Sequence, residues 1–315
     1  MRALTYDGEP RLSPTHPEPT LRPGWAIIAV RLAGICRTDL EIVRGYMGFR
    51  GILGHEFVGD VVECGEAAWL GRRVVGEINA ACGVCRVCGA GLPRHCPHRT
   101  VLGIQGLDGC LADRCALPIA NLHRVPDRLG DTQAVFTEPL AAAYQILDQV
   151  AISPGDRCVV LGDGKLGILC AWVLCTTGAE VMLVGHHDSK LERAQRSGVS
   201  VAKHAQGLAG ADVVVEATGS PKGLADAMAI CRPRGTIVLK STIAADAGMN
   251  LAPIVVNEVT VVGSRCGPFD KALHGLSTHS FAVDRLITAT YRLDQAVEAL
   301  EAAGRRGALK VLIQP

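Results

Sequence analysis

Four cysteines lie close together in the segment CGVCRVCGAGLPRHC, which runs from residue 82 to residue 96. Cys82, Cys85, Cys88 and Cys96 are separated by two, two and seven residues. Thiols at such spacings could form disulfides, a redox couple, a small nucleic-acid-binding zinc module or a structural metal site inside a larger domain. The spacing alone leaves these four interpretations open.

Three further segments carry side chains of the types that bind zinc, namely GICRTD (34–39), LGHEFVG (53–59) and FTEPLAA (136–142). They supply one thiol, one imidazole and two carboxylates: Cys36, His55, Glu56 and Glu138. Each residue also has a structural interpretation, as a core thiol, a turn histidine or a charge at a helix N-terminus. Taken together, the set is suitable for a second zinc site built from distant segments.

A glycine-rich loop follows in VVLGDGKLGILCAWVL, where Gly162, Gly164 and Gly167 form a G-x-G-x-x-G pattern. The pattern comes after a predicted strand and opens a predicted helix, which is the context that dinucleotide binding requires. The first glycine permits a tight turn, the second lets the backbone approach a pyrophosphate, and the third allows close packing of helix on strand. The helix N-terminus then offers free amides to the phosphates. The loop predicts dinucleotide binding.

The choice between NAD and NADP depends on the end of the next strand, which reads VGHHDSK. Gly185 stands where an acidic residue would bind the ribose 2′-hydroxyl of NAD. His186 and His187 follow, and a histidine or Lys190 could donate a hydrogen bond to the 2′-phosphate of NADP. This favours NADP. NAD stays open because Asp188 is close, and the histidines could also be solvated loop residues.

The elements that position these residues fall into two regions. Up to about residue 140, short β-branched runs such as WAIIAVRLAGI predict a β-rich domain. Beyond it, strands alternate with helices, which is typical of a doubly wound parallel sheet. The predicted strands are 158–162, 180–185, 212–218, 236–242 and 259–264, and the predicted helices are 165–177, 188–197, 221–232 and 247–256. A C-terminal helix and strand could dock on the first region, giving domains of 1–140 plus 268–315 and of 141–267.

Composition excludes several classes of protein. The chain has 315 residues, 48% of them hydrophobic, and its 32 basic and 31 acidic side chains give a net charge of +1. Such a balance offers no electrostatic reason to bind nucleic acid or an anionic membrane surface. The segment MRALTYDGEPRLSP has no apolar core of a signal peptide, so we expect a cytoplasmic protein. Its thirteen cysteines would then stay reduced, which argues against disulfides.

Five motifs, in their order along the chain, resemble those of the zinc-containing medium-chain dehydrogenase/reductases, the family of alcohol, sorbitol, glucose and threonine dehydrogenases. They are GICRTD, GHE, the four-cysteine segment, TEPLA and the G-x-G-x-x-G loop. The resemblance covers essentially the whole chain. It implies an α/β protein with a β-rich GroES-like catalytic domain and a Rossmann cofactor domain. It also implies one catalytic and one structural zinc ion.

The resemblance further implies the metal ligands and the proton relay. Cys36 and His55 would bind the catalytic zinc, with Glu56 and Glu138 as carboxylate partners, either of which could be the direct ligand. Thr38 would relay the proton of the alcohol. The liver-type enzymes continue this relay with a histidine; here Glu41 or water would take its place. The structural zinc would be bound by Cys82, Cys85, Cys88 and Cys96, which sets the disulfide and nucleic-acid interpretations aside.

The cofactor contacts that the resemblance implies fall into two groups. The pyrophosphate would be reached by Arg37 and by the backbone amides of Lys165 and Leu166. The nicotinamide end would lie near Ala217, Thr218, Leu239 and Ser241. Members of the family pair through an edge strand of the cofactor domain, here VTVVGS (259–264), so we expect a homodimer or homotetramer.

The expected activity is hydride transfer between NAD(P) and an alcohol, either a polyol, a sugar or a secondary alcohol, as the small-molecule substrate. One alternative is a zinc-independent medium-chain reductase of enones or quinones, which would have no use for Cys36, His55 and Glu138. Another is a non-enzymatic sensor that binds zinc and a dinucleotide. Metal analysis combined with an alcohol-dependent absorbance assay would separate the three.

Overall fold

The chain forms two units, each with its own principal sheet. A computed structural model describes residues 1–195, 198–242, 249–279 and 281–315. The first unit comprises Met1–Glu138, Leu273–His279 and Ile287–Pro315, and the second comprises Pro139–Ala272 and Ser280–Leu286. Within the described residues, no helix has both the length and the apolar composition to cross a membrane.

Most strands of the first unit have five residues or fewer, and those of the second have three to nine. Turns separate most consecutive strands of the first unit, and a helix separates most consecutive strands of the second. In chain order the strands are β1 (Ala3–Tyr6), β2 (Pro10–Ser13), β3 (Trp25–Gly34), β4 (Gly51–Ile52), β5 (Glu56–Cys64), β6 (Arg73–Gly76), β7 (Asn79–Ala80), β8 (Thr100–Leu102), β9 (Gly106–Leu107), β10 (Arg114–Pro118), β11 (Leu122–Arg124), β12 (Arg157–Leu161), β13 (Glu180–Val184), β14 (Ser200–Ala202), β15 (Ala211–Glu216), β16 (Cys231–Leu239), β17 (Thr260–Gly263), β18 (Ile287–Arg292) and β19 (Lys310–Gln314).

The longer helices lie after residue 136. In chain order the helices are α1 (Arg37–Val43), α2 (Arg86–Gly89), α3 (Asp131–Ala134), α4 (Thr137–Gln149), α5 (Lys165–Cys175), α6 (Asp188–Gln195), α7 (Gly223–Ile230), α8 (Ala252–Val256), α9 (Phe269–Thr278) and α10 (Ala296–Gly304). Single 3-10 turns occur at Tyr46–Gly48, Pro93–His95, Ile119–Asn121, Val283–Leu286 and Leu293–Gln295.

The sheet that carries the candidate metal ligands runs in the order β11-β6-β5-β3-β19-β18, with β10 also paired to β3. Its central strand β3 is mostly buried, because apolar residues fill nearly every position of WAIIAVRLAG. The C-terminal strand β19 pairs antiparallel with β3 and parallel with β18. The C-terminal strand is therefore part of the same sheet as β3.

The second unit contains a parallel sheet in the order β14-β13-β12-β15-β16-β17. Numbered from β12, this order is 3-2-1-4-5-6, the order of dinucleotide-binding sheets. Its central strands β12 and β15 are largely buried runs rich in valine, as a sheet covered on both faces requires. The predicted doubly wound fold is confirmed. The order reverses between β12 and β15, and a ligand of such a sheet binds at that point.

Element bounds differ in places from the predicted ones. The helix predicted at 188–197 is α6, and residues 196 and 197 lie outside the described residues. The helix predicted at 247–256 is the shorter α8; residues 247 and 248 also lie outside the described residues, and 249–251 are not helical. The sequence reading missed β14, α9 and β18. Strand β14 has only three residues, too few for a periodic signal.

Candidate active site

Cys36, His55 and Glu56 converge in the first unit, with one potential ligand atom from each within 4.8 Å of the others. Cys36 is the N-cap of α1 and has extended backbone angles, so its side chain precedes the first helical turn. His55 ends the connection between β4 and β5, and Glu56 is the first residue of β5. His55 and Glu56 are buried. The structure thus brings together three of the four predicted ligands of the catalytic zinc.

Asp39 holds two of these ligand residues in place. Its Oδ2 accepts a hydrogen bond from the backbone N–H of Cys36 at 2.7 Å, and its Oδ1 accepts one from the N–H of Gly54 at 3.2 Å. The same Oδ1 lies 3.3 Å from Nδ1 of His55. A metal-binding imidazole commonly gives its other ring nitrogen to a carboxylate, which fixes the orientation of the ring. Asp39 therefore orients His55.

The electrostatic field of this cluster favours a cation. Burial lowers the pKa of His55, but the negative charges of Asp39 and Cys36 outweigh burial and raise that pKa well above its ordinary value. A basic side chain also lies at this cluster. Lys310 is fully buried and forms an ion pair with Oε2 of Glu56. Burial lowers the pKa of Lys310 to about 7, against the opposing charges of Cys36 and Asp39.

The fourth predicted ligand, Glu138, does not belong to the 4.8 Å group. It is the second residue of α4. Its charge nevertheless raises the pKa of Cys110, together with the larger effects of burial and of Cys115 and Asp39. Sγ of Cys110 lies 3.7 Å from the carbonyl oxygen of Glu56, so Cys110 borders the cluster.

The residues predicted for proton transfer and pyrophosphate binding lie on α1. Oγ1 of Thr38 is 3.8 Å from Sγ of Cys36, so its hydroxyl borders the metal ligands. Oε1 of Glu41 accepts hydrogen bonds from Nε of Arg37 at 2.8 Å and from Nη1 of Arg44 at 2.9 Å. Arg37 is exposed. Glu41 and Arg37 therefore pair with each other on the solvent side of α1.

The second cluster contains the four cysteines of the 82–96 segment, which also converge within 4.8 Å. The Sγ–Sγ distances are 3.5 Å for Cys82–Cys96, 3.5 Å for Cys85–Cys88 and 3.8 Å for Cys85–Cys96. A disulfide would require about 2.05 Å. Thiolates around tetrahedral zinc, with Zn–S of about 2.3 Å, lie about 3.8 Å apart. The geometry fits four ligands of one ion.

An ion-pair network joins this cysteine segment to the sheet. Arg94 lies between Cys88 and Cys96, and it donates to both carboxylate oxygens of Glu77, at 2.9 and 3.1 Å. Nε2 of His123 is 3.3 Å from the same carboxylate. Burial raises the pKa of Glu77, but the hydrogen bonds from His123 and Arg94 outweigh burial and lower it.

In the second unit, the glycine loop connects β12 to α5. Gly162 has φ +112°, and a Cβ there would lie 2.5 Å from the carbonyl oxygen of Ala217. A Cβ on Gly167 would overlap the carbonyl oxygen of Gly162, so both positions require glycine. Gly164 caps α5, whose first residues are Lys165 and Leu166. The loop has the strand–turn–helix arrangement that the motif predicts.

The residues predicted near the nicotinamide follow the carboxyl ends of β15 and β16, the neighbouring strands of that sheet. Ala217 and Thr218 come after β15, and Leu239 ends β16. Oγ of Ser241 accepts a hydrogen bond from the N–H of Gly219 at 2.8 Å, which links the two strand ends. The structure therefore brings these residues to the edge of the sheet that carries the glycine loop.

Sequence reasoning missed two residues at these sites, Asp163 and Lys310. The Asp163 carboxylate accepts hydrogen bonds from the backbone N–H groups of His186 and His187, both at 2.7 Å. Two features of the sequence together could have indicated Asp163: an acidic residue within the glycine loop, and a glycine at position 185 where an acidic residue is usual. Lys310 is one lysine in the apolar run ALKVLIQP, and nothing in that run indicated that its ammonium group is buried against Glu56.

Comparison with known proteins identifies the family. Residues 22–127 match the family described as alcohol dehydrogenase GroES-like domain, and residues 166–278 match the family described as zinc-binding dehydrogenase. A sorbitol dehydrogenase of Halalkalibacterium halodurans is 30% identical over 95% of this chain and 94% of its own length. The chain belongs to the zinc-containing medium-chain dehydrogenase/reductase family. It is accordingly an oxidoreductase of the alcohol and polyol dehydrogenase class.

Solved structures agree with this assignment. An alcohol dehydrogenase (rspB) of Escherichia coli CFT073, in complex with NADH, is 26% identical and superposes with a TM-score of 0.92 over 100% of this chain and 99% of its own. A zinc-binding dehydrogenase of Sinorhizobium meliloti 1021, bound to NADP, is also 26% identical, with a TM-score of 0.91 over the same shares. The predicted combination of GroES-like and Rossmann domains is confirmed.

Proposed function

We propose that this protein oxidises a polyol, a sugar or a secondary alcohol reversibly, with a nicotinamide dinucleotide as hydride acceptor, and that Cys36, His55 and Glu56 hold its catalytic metal. The observation that carries the proposal is the convergence of these three ligand types within 4.8 Å. A zinc-independent reductase would have no use for a thiol beside a buried imidazole and a buried carboxylate arranged in this way.

The donor set fits zinc. Catalytic zinc sites have three protein ligands of the nitrogen, sulfur and oxygen types and keep a fourth position for substrate. Zinc, when bound, acts as a Lewis acid on the substrate oxygen and lowers the pKa of the alcohol. We assign Glu56 as the direct carboxylate ligand because it belongs to the cluster, and Glu138, which lies outside the cluster, as the second carboxylate.

Thr38 is the residue that we assign to proton transfer. Its Oγ1 borders Cys36, at 3.8 Å from the sulfur, so a substrate hydroxyl at the metal would lie near it. Oγ1 accepts the proton of the alcohol and passes its own proton to water. Glu41 is already engaged by Arg37 and Arg44, which favours water over Glu41 as the next acceptor.

The second unit would bind the dinucleotide. The amides of Lys165 and Leu166 at the N-terminus of α5 suit the pyrophosphate. The nicotinamide, when bound, accepts the hydride, and the strand ends after β15 and β16 would orient it. Similar proteins have been solved with NADH and with NADP.

The four-cysteine cluster would hold a structural zinc ion. The Sγ–Sγ distances of 3.5–3.8 Å support this, and four thiolates leave no position for substrate. The Glu77–Arg94 pair would fix the metal-bound segment to the sheet. This ion would organise the segment without taking part in the reaction.

We also propose that copies of the chain associate through β17. Among the described residues, β17 is the terminal strand of the parallel sheet. Val261 on β17 is exposed, and so are Val255 and Val256 on α8, the helix that precedes β17. An exposed apolar edge strand invites pairing with a second chain. Substitution of Val261 by Lys is expected to lower the mass measured by light scattering. An unchanged mass would contradict the assignment of this edge.

The experiment that tests the proposed activity compares wild type with Cys36→Ala and His55→Ala, using Cys64→Ala as a matched control outside both clusters. Wild type and the control should reduce the nicotinamide in the presence of a polyol or secondary alcohol. The other two variants should lose at least about 1,000-fold in turnover, because the Lewis acid is lost. Dinucleotide binding should be retained in all four. Full activity of Cys36→Ala would contradict the proposal.

Wild type and the same variants also distinguish the two alternative functions, a zinc-independent reductase and a non-enzymatic sensor. A zinc-independent reductase would reduce an enone equally well in wild type and in Cys36→Ala. A sensor would bind zinc and dinucleotide and would turn over none of the alcohols. Either result would replace the proposed activity.

A further inference from the structure

Asp163 fills the place where a side chain at the end of β13 would stand. Gly185 follows β13, and the three atoms nearest to an ideal Cβ on it all belong to Asp163, with Oδ2 at 2.6 Å. The strand-end acidic residue of other dinucleotide sites would extend from that Cβ. Here a carboxylate occupies the same space, but it comes from the glycine loop after β12.

The hydrogen bonds of Asp163 fix this carboxylate at the strand end. Its Oδ2 accepts the backbone N–H groups of His186 and His187, and Nδ1 of His187 lies 2.9 Å from Oδ2 and 3.2 Å from Oδ1. Among the described residues, Oδ1 contacts the imidazole alone, at the longer distance, and a carboxylate oxygen can accept a further hydrogen bond. A ribose hydroxyl is a donor of the required kind.

The carboxylate carries its charge at neutral pH. Burial raises the pKa of Asp163, and the hydrogen bonds from His187 and from the two backbone amides outweigh burial and lower the pKa below its ordinary value. The side chain is only 10% exposed, so solvent screens the charge weakly.

Two of the other titratable groups of this loop are already engaged by neighbouring side chains. The imidazole of His187 is paired with Asp163 itself. Asp188 is exposed and forms an ion pair with Lys203, 2.7 Å away, on the neighbouring strand end. His186 is exposed, and its backbone N–H points to Asp163.

We infer that Asp163 replaces the strand-end carboxylate as the residue that selects the cofactor. It accepts a hydrogen bond from the 2′-hydroxyl of the adenosine ribose and repels a 2′-phosphate. The protein therefore prefers NAD to NADP. The sequence alone favoured NADP because position 185 is glycine. With a carboxylate supplied to the same place by Asp163, that reason no longer holds. The inference rests on the proposed function, since it requires a dinucleotide bound by the second unit.

The test measures dissociation constants of NADH and NADPH by the fluorescence of the reduced nicotinamide, without turnover. The variants are Asp163→Asn, the transplant Asp163→Gly with Gly185→Asp, and the control Asp188→Asn. The transplant moves the carboxylate to the strand end and removes the atoms that would overlap the new Cβ. Far-ultraviolet circular dichroism and melting temperature check folding of each variant.

Wild type and Asp188→Asn should bind NADH at least about 10-fold more tightly than NADPH, because a phosphate beside a buried carboxylate is repelled. Asp163→Asn should reduce this preference by about 10- to 100-fold, and the transplant should restore it. If Asp163→Asn unfolds, the restored preference of the transplant still carries the test.

Three results would overturn the inference. They are equal affinity of wild type for the two cofactors, an unchanged preference in Asp163→Asn, and a transplant that folds and binds NADPH more tightly than NADH. In each of these cases dinucleotide binding itself persists and the proposed activity stands. Failure of wild type to bind either dinucleotide would contradict the proposed function and this inference together.

Discussion

Lys310 and Glu56 form a fully buried ion pair beside the candidate metal ligands. Strand β3 brings them together, because Gly34 pairs with Glu56 on β5 and with Leu312 on β19. A Cβ on Gly34 would overlap Nζ of Lys310, so the glycine provides the space for the ammonium group. Phe136 also contacts Lys310, with its ring centroid 5.2 Å from Nζ. The C-terminal strand thus places an amino group against a buried ligand carboxylate.

Substitution of Lys310 by Met is expected to destabilise the metal-free protein by about 3–5 kcal/mol, because it leaves the Glu56 carboxylate buried without a countercharge. The matched control is Lys271→Met, which breaks the partly exposed pair with Asp148 and should cost about 1 kcal/mol or less. Urea unfolding of the two variants measures the difference. Equal losses would contradict the assigned role of Lys310.

Removal of the Thr38 hydroxyl should slow the reaction without loss of metal. Thr38→Val is expected to lower kcat by about 100- to 10,000-fold, the range for a positioned proton-transfer group. Thr38→Ser keeps the hydroxyl and should stay close to wild type. Zinc content and cofactor affinity, measured on the same samples, should be unchanged in both. A Thr38→Val enzyme with normal kcat would show that the proton leaves by another route.

Glu77 should stabilise the protein in a pH-dependent way. Its pKa is lower in the folded chain than in the unfolded chain, so its contribution is complete above the unfolded value of about 4.3 and is lost as pH falls through the lower folded value. Glu77→Gln should therefore cost about 1.5–3 kcal/mol at pH 7, the range for hydrogen bonds to a charged group. The difference from wild type should shrink below about pH 4.

The control for Glu77 is Glu9→Gln, which removes an exposed partner of Arg11 and should change stability little at any pH. Chemical unfolding at several pH values, on wild type and both variants, gives the comparison. A cost for Glu77→Gln that stays the same below pH 4 would contradict the assigned ion pairs with Arg94 and His123.

Loss of one cysteine of the four-cysteine cluster should affect folding before chemistry. Cys88→Ser is expected to lose the structural zinc and to lower the melting temperature, since such a metal contributes directly to folding. Cys64→Ser, outside both clusters, should match wild type. Metal analysis and thermal unfolding provide the readouts. Normal metal content in Cys88→Ser would mean that this cluster is not a zinc site.

The parts of this protein that the sequence predicted are those encoded by local patterns. The glycine loop needs a strand before it and a helix after it, and both are periodic in the sequence. The four cysteines are near neighbours along the chain, so their spacing already limits their geometry. Cys36, His55 and Glu56 come from separate segments, and they could be grouped because the motifs around them resemble those of the zinc-containing family.

What the sequence did not predict depends on contacts between distant segments. Lys310 and Glu56 are more than 250 residues apart and meet only because β19 and β5 both pair with β3. Asp163 reaches the end of β13 because parallel strands place their carboxyl ends on one edge of the sheet. A pattern within one segment contains neither relationship. By contrast, the ion pairs of Glu41 with Arg37 and Arg44 are local contacts, at i,i+4 and i,i+3 along α1.

The most direct test of the central claim is removal of the metal from the Cys36–His55–Glu56 site of folded protein. Treatment with a chelator, followed by metal analysis and an alcohol-dependent assay of nicotinamide reduction, should show activity that falls in proportion to the zinc lost from this site. Activity should return when zinc is added back, and it should not return in Cys36→Ala. Folded protein that oxidises alcohols at the wild-type rate with this site free of metal would contradict the account.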